Sequence, residues 1–97
     1  MDRLGLEDEL LDEFIHSLVE RSRDMVGEIH LALDAADFQR IESLAHSIKG
    51  AAATFEANRL AAAARQLEAF ARGGEIAGCR SSWSDLALAL DQLAAAV

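Results

Sequence analysis

Apolar residues recur at steps of three and four in four separate runs along this chain, and no proline interrupts them. Such steps line side chains along one stripe of an α-helix, which turns once every ~3.6 residues. A stripe of this kind must be buried against another element, so four of them in succession leave few architectures open. The first run is Leu11, Ile15, Leu18, then Met25, Ile29 and Leu33, with the polar Ser22 between. It reads either as one long helix with a weak point or as two helices meeting near Ser22, which would cap the second and make an extra N-terminal helix. The second run, Phe38, Ile41, Ala45, Ile48, Ala52 and Phe55, follows a connection at 34–37 and has Asp37 as its expected N-cap. The third, Leu60, Ala63, Leu67 and Phe70, meets a stop signal at Gly73-Gly74. The fourth is Ile76, Cys79, Trp83, Leu86, Leu90, Leu93 and Val97, its first turns weakened by Gly78 and nearby serines.

Short connections make consecutive helices antiparallel neighbours, so the expected fold is all-α, an antiparallel up-down four-helix bundle with a possible extra N-terminal helix. Ninety-seven residues suit one domain over 1–97 with a small core. The alanine-rich stretches 51–53 and 61–64 would let two helix backbones approach closely.

The formal charge of -8 argues against nucleic acid and anionic membrane as partners, because phosphate binding calls for a basic patch. A protein partner with a complementary face remains compatible. Cys79 is the only cysteine, which excludes an internal disulfide and a thiolate metal cluster. The first residues are acidic where a secretory signal would be basic, and no apolar run approaches the ~20 residues that span a bilayer. The expectation is a cytoplasmic protein. The opening Met1 and compact ends favour a free-standing one, and seams fully used within one bundle favour a monomer.

One segment departs from ordinary helix composition: Ala45-His46-Ser47-Ile48-Lys49-Gly50-Ala51-Ala52. His46, Lys49 and Gly50 fall at i, i+3 and i+4 on one side of the second helix. At 100° per residue His46 lies about 120° from the centre of the apolar seam, Lys49 flanks the seam on the same side, and Gly50 is almost opposite. The imidazole is therefore expected at the bundle edge or in solvent. A mid-helix glycine costs about 1 kcal/mol relative to alanine. Close approach of a partner to the imidazole would repay that cost.

His46-Ser47-Ile48-Lys49-Gly50-Ala51-Ala52 resembles the H-x-[LI]-K-G-[SA]-[SA] signature of histidine phosphotransfer (HPt) domains. Those domains are four-helix bundles of about this length, and Ala57-Asn58-Arg59-Leu60 and Arg65-Gln66-Leu67-Glu68 also fit the family's run into its third bundle helix. The resemblance implies a phosphocarrier of two-component phosphorelays rather than an enzyme. It would accept a phosphoryl group from a receiver-domain aspartate of a hybrid sensor histidine kinase and pass it to the aspartate of a response regulator. The phosphoacceptor would be His46, since neutral imidazole, with an unperturbed pKa of about 6.5, is a nucleophile near neutrality. Lys49 would support the added charge, and Gly50 would give steric clearance to the receiver. Glu68 matches by spacing the position that holds the second ring N–H. No cofactor or metal site of its own is implied, Mg²⁺ being expected in the partner receiver domain.

The family often has glycine ten residues after the histidine, where this chain has Glu56. Asn58 is a candidate for supplying the turn instead. Arg59 and Arg65 are read as solvated cations that would at most add positive surface near the site. His16, which has only Glu20 one turn on, and His30 read as surface or seam-edge residues. Trp83 and Cys79 read as core. Two other functions are weighed. A dimeric histidine kinase core usually follows its histidine with an acidic residue and needs an ATP-binding domain, for which there is no room. A non-catalytic helical interaction module, a degenerate HPt, would bind a receiver domain or kinase without phosphotransfer.

Overall fold

The computed structural model describes residues 2–96, with side chains from residue 10 to residue 96. Four helices follow one another: α1 (Asp2–Asp34), α2 (Phe38–Thr54), α3 (Asn58–Arg72) and α4 (Ile76–Ala95). Each packs on two neighbours, in the cyclic order α1, α2, α3, α4. The ion pairs Arg40–Glu28, Arg72–Glu42 and Arg80–Asp34 join adjacent helices in opposed register, as an up-down bundle requires. No described helix is long and apolar enough to cross a membrane.

The four seams meet in one core. Ile29, Ile41, Ala45, Ile48, Ala52, Ala64, Leu67, Cys79 and Leu86 have no exposed surface. Fully burying a branched aliphatic side chain contributes about 1.5–3 kcal/mol, so the side chains at these spacings, rather than helix propensity alone, hold the bundle together. Ala61, Ala63 and Ala64 put small buried residues on α3 where it faces its neighbours. Gly78 has a packing reason as well: a Cβ there would run into the ring of Phe70 on α3.

Helix α1 is continuous through Ser22, so it forms one long helix and not a pair. Ser22 lies a regular step from Leu18 and Met25, is fully buried, and has no hydrogen-bond partner for its hydroxyl among the described residues. The seam is thus unbroken, and the small side chain is accommodated inside it. A helix of this length measures about 50 Å, and the molecule's longest dimension is 51 Å against 18 Å across. Where α2 ends, Phe55 stacks on Phe14 with ring centroids 6.3 Å apart. The part of α1 before Phe14 projects past the bundle, and Leu10 and Leu11 are 47% and 49% exposed. Leu11 is therefore a seam residue by spacing that no neighbouring helix reaches.

Trp83 is half-buried, with its indole Nε1 donating to the backbone oxygen of Val26 at 2.9 Å, and the exposed His30 ring packs 5.0 Å from it. Burial raises the Cys79 thiol above its ordinary range, which leaves it a packing group.

The three connections share one construction. Helix α1 closes with Ala36 N–H on Leu33 O and Asp37 N–H on Ala32 O. Helix α2 repeats the pattern with Glu56 on Ala53 and Ala57 on Ala52, and α3 with Gly74 on Ala71 and Glu75 on Phe70. These paired bonds define the Schellman motif, whose pivotal residue takes left-handed φ. The φ values are 51° at Ala36, 56° at Glu56 and 68° at Gly74. Only the last is glycine. Glu56 itself thus adopts the conformation that glycine favours, and Asn58 is the first residue of α3, not the source of the turn. The last residue of each motif is also the N-cap of the next helix. Of the three, Asp37 alone caps with its side chain, accepting from Arg40 N–H at 3.2 Å.

A left-handed L-residue costs about 1–2 kcal/mol, and glycine's extra freedom in the unfolded chain returns about 0.5–1 kcal/mol of that. Glu56→Gly is accordingly expected to stabilise the fold by about 0.5–1 kcal/mol, raising Tm by about 2–8 °C for a domain of this size. Thermal unfolding by circular dichroism checks this, and a lowered Tm would contradict the account of the turn.

Candidate functional site

Helices α2 and α3 bring His46, Lys49 and Glu68 into one cluster. His46 sits mid-helix on α2, off the seam formed by Ala45 and Ile48, and its side chain is 68% exposed. Its Nδ1 lies 2.7 Å from Glu68 Oε2, across from it on α3. Lys49 Nζ donates to the other carboxylate oxygen, Oε1, at 2.6 Å. Glu68 is the unusual member, a carboxylate only 7% exposed.

A buried carboxylate is tolerated when its oxygens are paired. The Lys49 hydrogen bond is the largest influence on Glu68 and lowers its pKa. Burial acts in the opposite direction, and the His46 contact adds to the lowering, so the net shift is downward from the usual 4.5. Glu68 is therefore ionised near neutrality. An ionised carboxylate only accepts, so the hydrogen of the His46–Glu68 contact belongs to Nδ1. In the neutral ring this leaves Nε2 with a free lone pair.

Gly50 is exposed, and a Cβ placed on it would meet nothing within 4 Å. The fold of the isolated chain does not need glycine there, although its propensity cost is borne by the helix. Thr54 Oγ1 donates to the Gly50 carbonyl at 3.0 Å, as a serine or threonine one turn on often does.

Sequence reasoning missed the cation beside this cluster. Arg72, one turn after Glu68 on α3, places Nη2 3.9 Å from Glu68 Oε2 and Nε 3.1 Å from Glu42 Oε1. A depression beside His46 is lined by Gln39, Glu42, Ser43, Ser47, Glu68 and Arg72. The usable signal is i, i+4 spacing: Glu42 precedes His46 by four residues, and Arg72 follows Glu68 by four. Arg59 instead pairs with Gln92 on α4, at 2.6 Å, and Arg65 is exposed on α3; neither lines the depression. His16 is exposed, and no group of three His, Cys, Asp or Glu side chains among the described residues is placed to hold a metal ion.

The arrangement leaves the His46 ring largely exposed, holds it through a buried anion, and gathers two cations, Lys49 and Arg72, around that anion. A family model described as Hpt domain matches residues 9–96. No curated protein and no solved structure matches the chain.

The lowered pKa of Glu68 has a consequence for stability. The contribution of its ionised form is fully present above the unfolded value of about 4.5 and is lost as pH falls through the lower folded value. Below pH 4.5 the wild type is expected to lose Tm faster than Glu68→Gln, which has no proton to take up at this position. Parallel Tm curves for the two proteins across that acid range would show that Glu68 is not held ionised by its partners.

Proposed function

The chain belongs to the Hpt domain family, and from that membership we propose that it is a histidine-containing phosphocarrier of a two-component phosphorelay, phosphorylated at His46. On this reading it accepts the phosphoryl group from a receiver-domain aspartate of a hybrid sensor histidine kinase and delivers it to the aspartate of a response regulator. It is a relay intermediate and not an enzyme. The receiver contributes Mg²⁺ and the catalytic groups, and residues 1–97 act as one cytoplasmic, monomeric domain. The observation that carries the reading is the pairing of an exposed ring with a buried anion: His46 is 68% exposed while its Nδ1 is held by Glu68.

The chemistry follows from that pairing. Nε2 of the neutral ring attacks phosphorus in line. The N–P bond forms as the P–O bond to the receiver's aspartate breaks, and the aspartate carboxylate leaves. The ring becomes cationic as its lone pair is spent, and Glu68 stabilises that charge through the Nδ1–H hydrogen bond. An aspartate oriented behind a catalytic histidine acts in the same manner in hydrolases. Transfer onward reverses the step, with a second aspartate oxygen attacking phosphorus and imidazole leaving.

Lys49 uses one of its three donors on Glu68, which leaves two for a phosphoryl group one turn away. Gly50 leaves room for the receiver's surface to approach the ring.

Two variants test the proposal. With a panel of phosphorylated receiver domains as donors, the wild type is expected to acquire an acid-labile, alkali-stable label and His46→Gln none, with its helical circular dichroism unchanged. Label on His46→Gln at wild-type stoichiometry would reject His46 as the acceptor. Gly50→Glu is expected to fold as the wild type does and to slow transfer by at least about tenfold, through a clash built into the docked state. An unchanged transfer rate would mean that the receiver does not pack over Gly50.

A further inference from the structure

The depression beside His46 holds one anion that the transfer step does not use. Glu42 is one helical turn before His46 on α2, and its side chain is about one-third exposed, at 35%. It engages Arg72 through a single nitrogen, Nε, at 3.1 Å. The same guanidinium reaches toward Glu68 Oε2, the oxygen already bound to His46 Nδ1. We propose that Glu42 competes with a phosphoryl group on His46 for Arg72, and thereby sets how long His46 keeps that group. The inference rests on His46 being the phosphoacceptor.

The two cations of the site differ in their freedom to respond. Lys49 is tied to a carboxylate that is almost wholly buried, and moving it away would leave an under-compensated charge out of water. Arg72 is 66% exposed and its half-buried partner Glu42 keeps contact with water, so parting them leaves neither charge stranded. Arg72 is therefore the cation that can turn. A phosphoryl group carries about -1.5 to -2 charge near neutrality, against one unit on Glu42. It also presents oxygens that the guanidinium fork can grip in pairs, where Glu42 now takes one contact. Arg72 leaves Glu42 for the phosphoryl group, and the attraction of Glu42 is what that move must overcome.

The lifetime of the phosphohistidine reports this balance. In hydrolysis, water attacks phosphorus, the P–N bond breaks, the electron pair returns to Nε2 and inorganic phosphate leaves. As the P–N bond loosens in a dissociative transition state, the phosphoryl group passes from a dianion toward a metaphosphate-like monoanion, so a guanidinium fixed on the ground-state dianion holds the intact species more strongly than the transition state. The competing mechanism is direct repulsion of the phosphoryl group by Glu42, with no part for Arg72. Direct repulsion persists without Arg72, whereas competition does not, and a double-mutant cycle separates them.

The experiment uses the full chain labelled with phosphoramidate, which transfers its phosphoryl group to the ring nitrogen as ammonia leaves. After removal of the donor, decay is followed by phosphorus NMR. An exposed charge pair is worth a factor of about two to five in an equilibrium. Glu42→Gln is expected to lengthen the half-life by about that factor, and Arg72→Gln to shorten it comparably. The double variant is expected to decay like Arg72→Gln alone. An unchanged half-life in Glu42→Gln would overturn the proposal, as would a Glu42→Gln gain that survives in the Arg72→Gln background. Failure of the wild type to label at His46, judged against His46→Gln, would remove the phosphoacceptor reading itself and this inference with it.

Discussion

Three connections of three residues each fix almost everything else about this molecule. In each one the residue that closes the Schellman motif is already the N-cap of the next helix, so no slack remains to absorb a change of register. The turn after α2 decides which residue of α3 stands opposite His46. A helix turned by one residue would rotate Glu68 by about 100°, carrying it out of the cleft between α2 and α3. The site is thus a product of the turn at Phe55-Glu56-Ala57 as much as of the residues that compose it. That this turn tolerates a left-handed glutamate, against its intrinsic preference, shows how strongly the packed seams on either side over-determine it.

Glu68 joins the fold to the chemistry. Its neighbours on α3, Leu67 and Ala64, are fully buried, and the carboxylate shares their shelter. Buried anions are costly unless paired, and here both oxygens are taken by residues of α2. The same hydrogen bonds that make the burial tolerable select a tautomer of His46, orient its ring and hold Lys49 nearby. Arg72 and Glu42 form an outer layer that solvent reaches, where charges rearrange at little cost.

Much of this was legible in the sequence, for definite reasons. The seam of α2 follows its steps without error, so the side of the helix that carries His46 could be read from angles alone. Glu68 was reachable only through the family resemblance, because a residue 22 positions away has no local signature. Arg72 and Glu42 escaped because an i, i+4 neighbour becomes informative only once the central pair is known. Ser22 misled because polarity was weighed above position: a small hydroxyl in a long apolar seam can be enclosed, even with no partner found for it among the described residues. Leu11 misled in the opposite sense, since periodicity reports which face a residue occupies and not whether another helix extends far enough to cover it. Glu56 and Ala36 carry no left-handed signal of their own, whereas Asp37 as an N-cap and Gly73-Gly74 as a stop announced the first and third connections.

The single tryptophan of a chain without tyrosine sits on the wall of the ring away from the α2–α3 cleft. Trp83 bridges α4 to the backbone of α1, and its indole N–H is tethered only while those two helices are docked. Its ultraviolet emission is consequently a one-site optical gauge of ring closure. Because His46 lies on other helices, events at the imidazole leave that gauge largely silent. The molecule carries separate channels for observing its assembly and its chemistry, with no dye or label added to distinguish them.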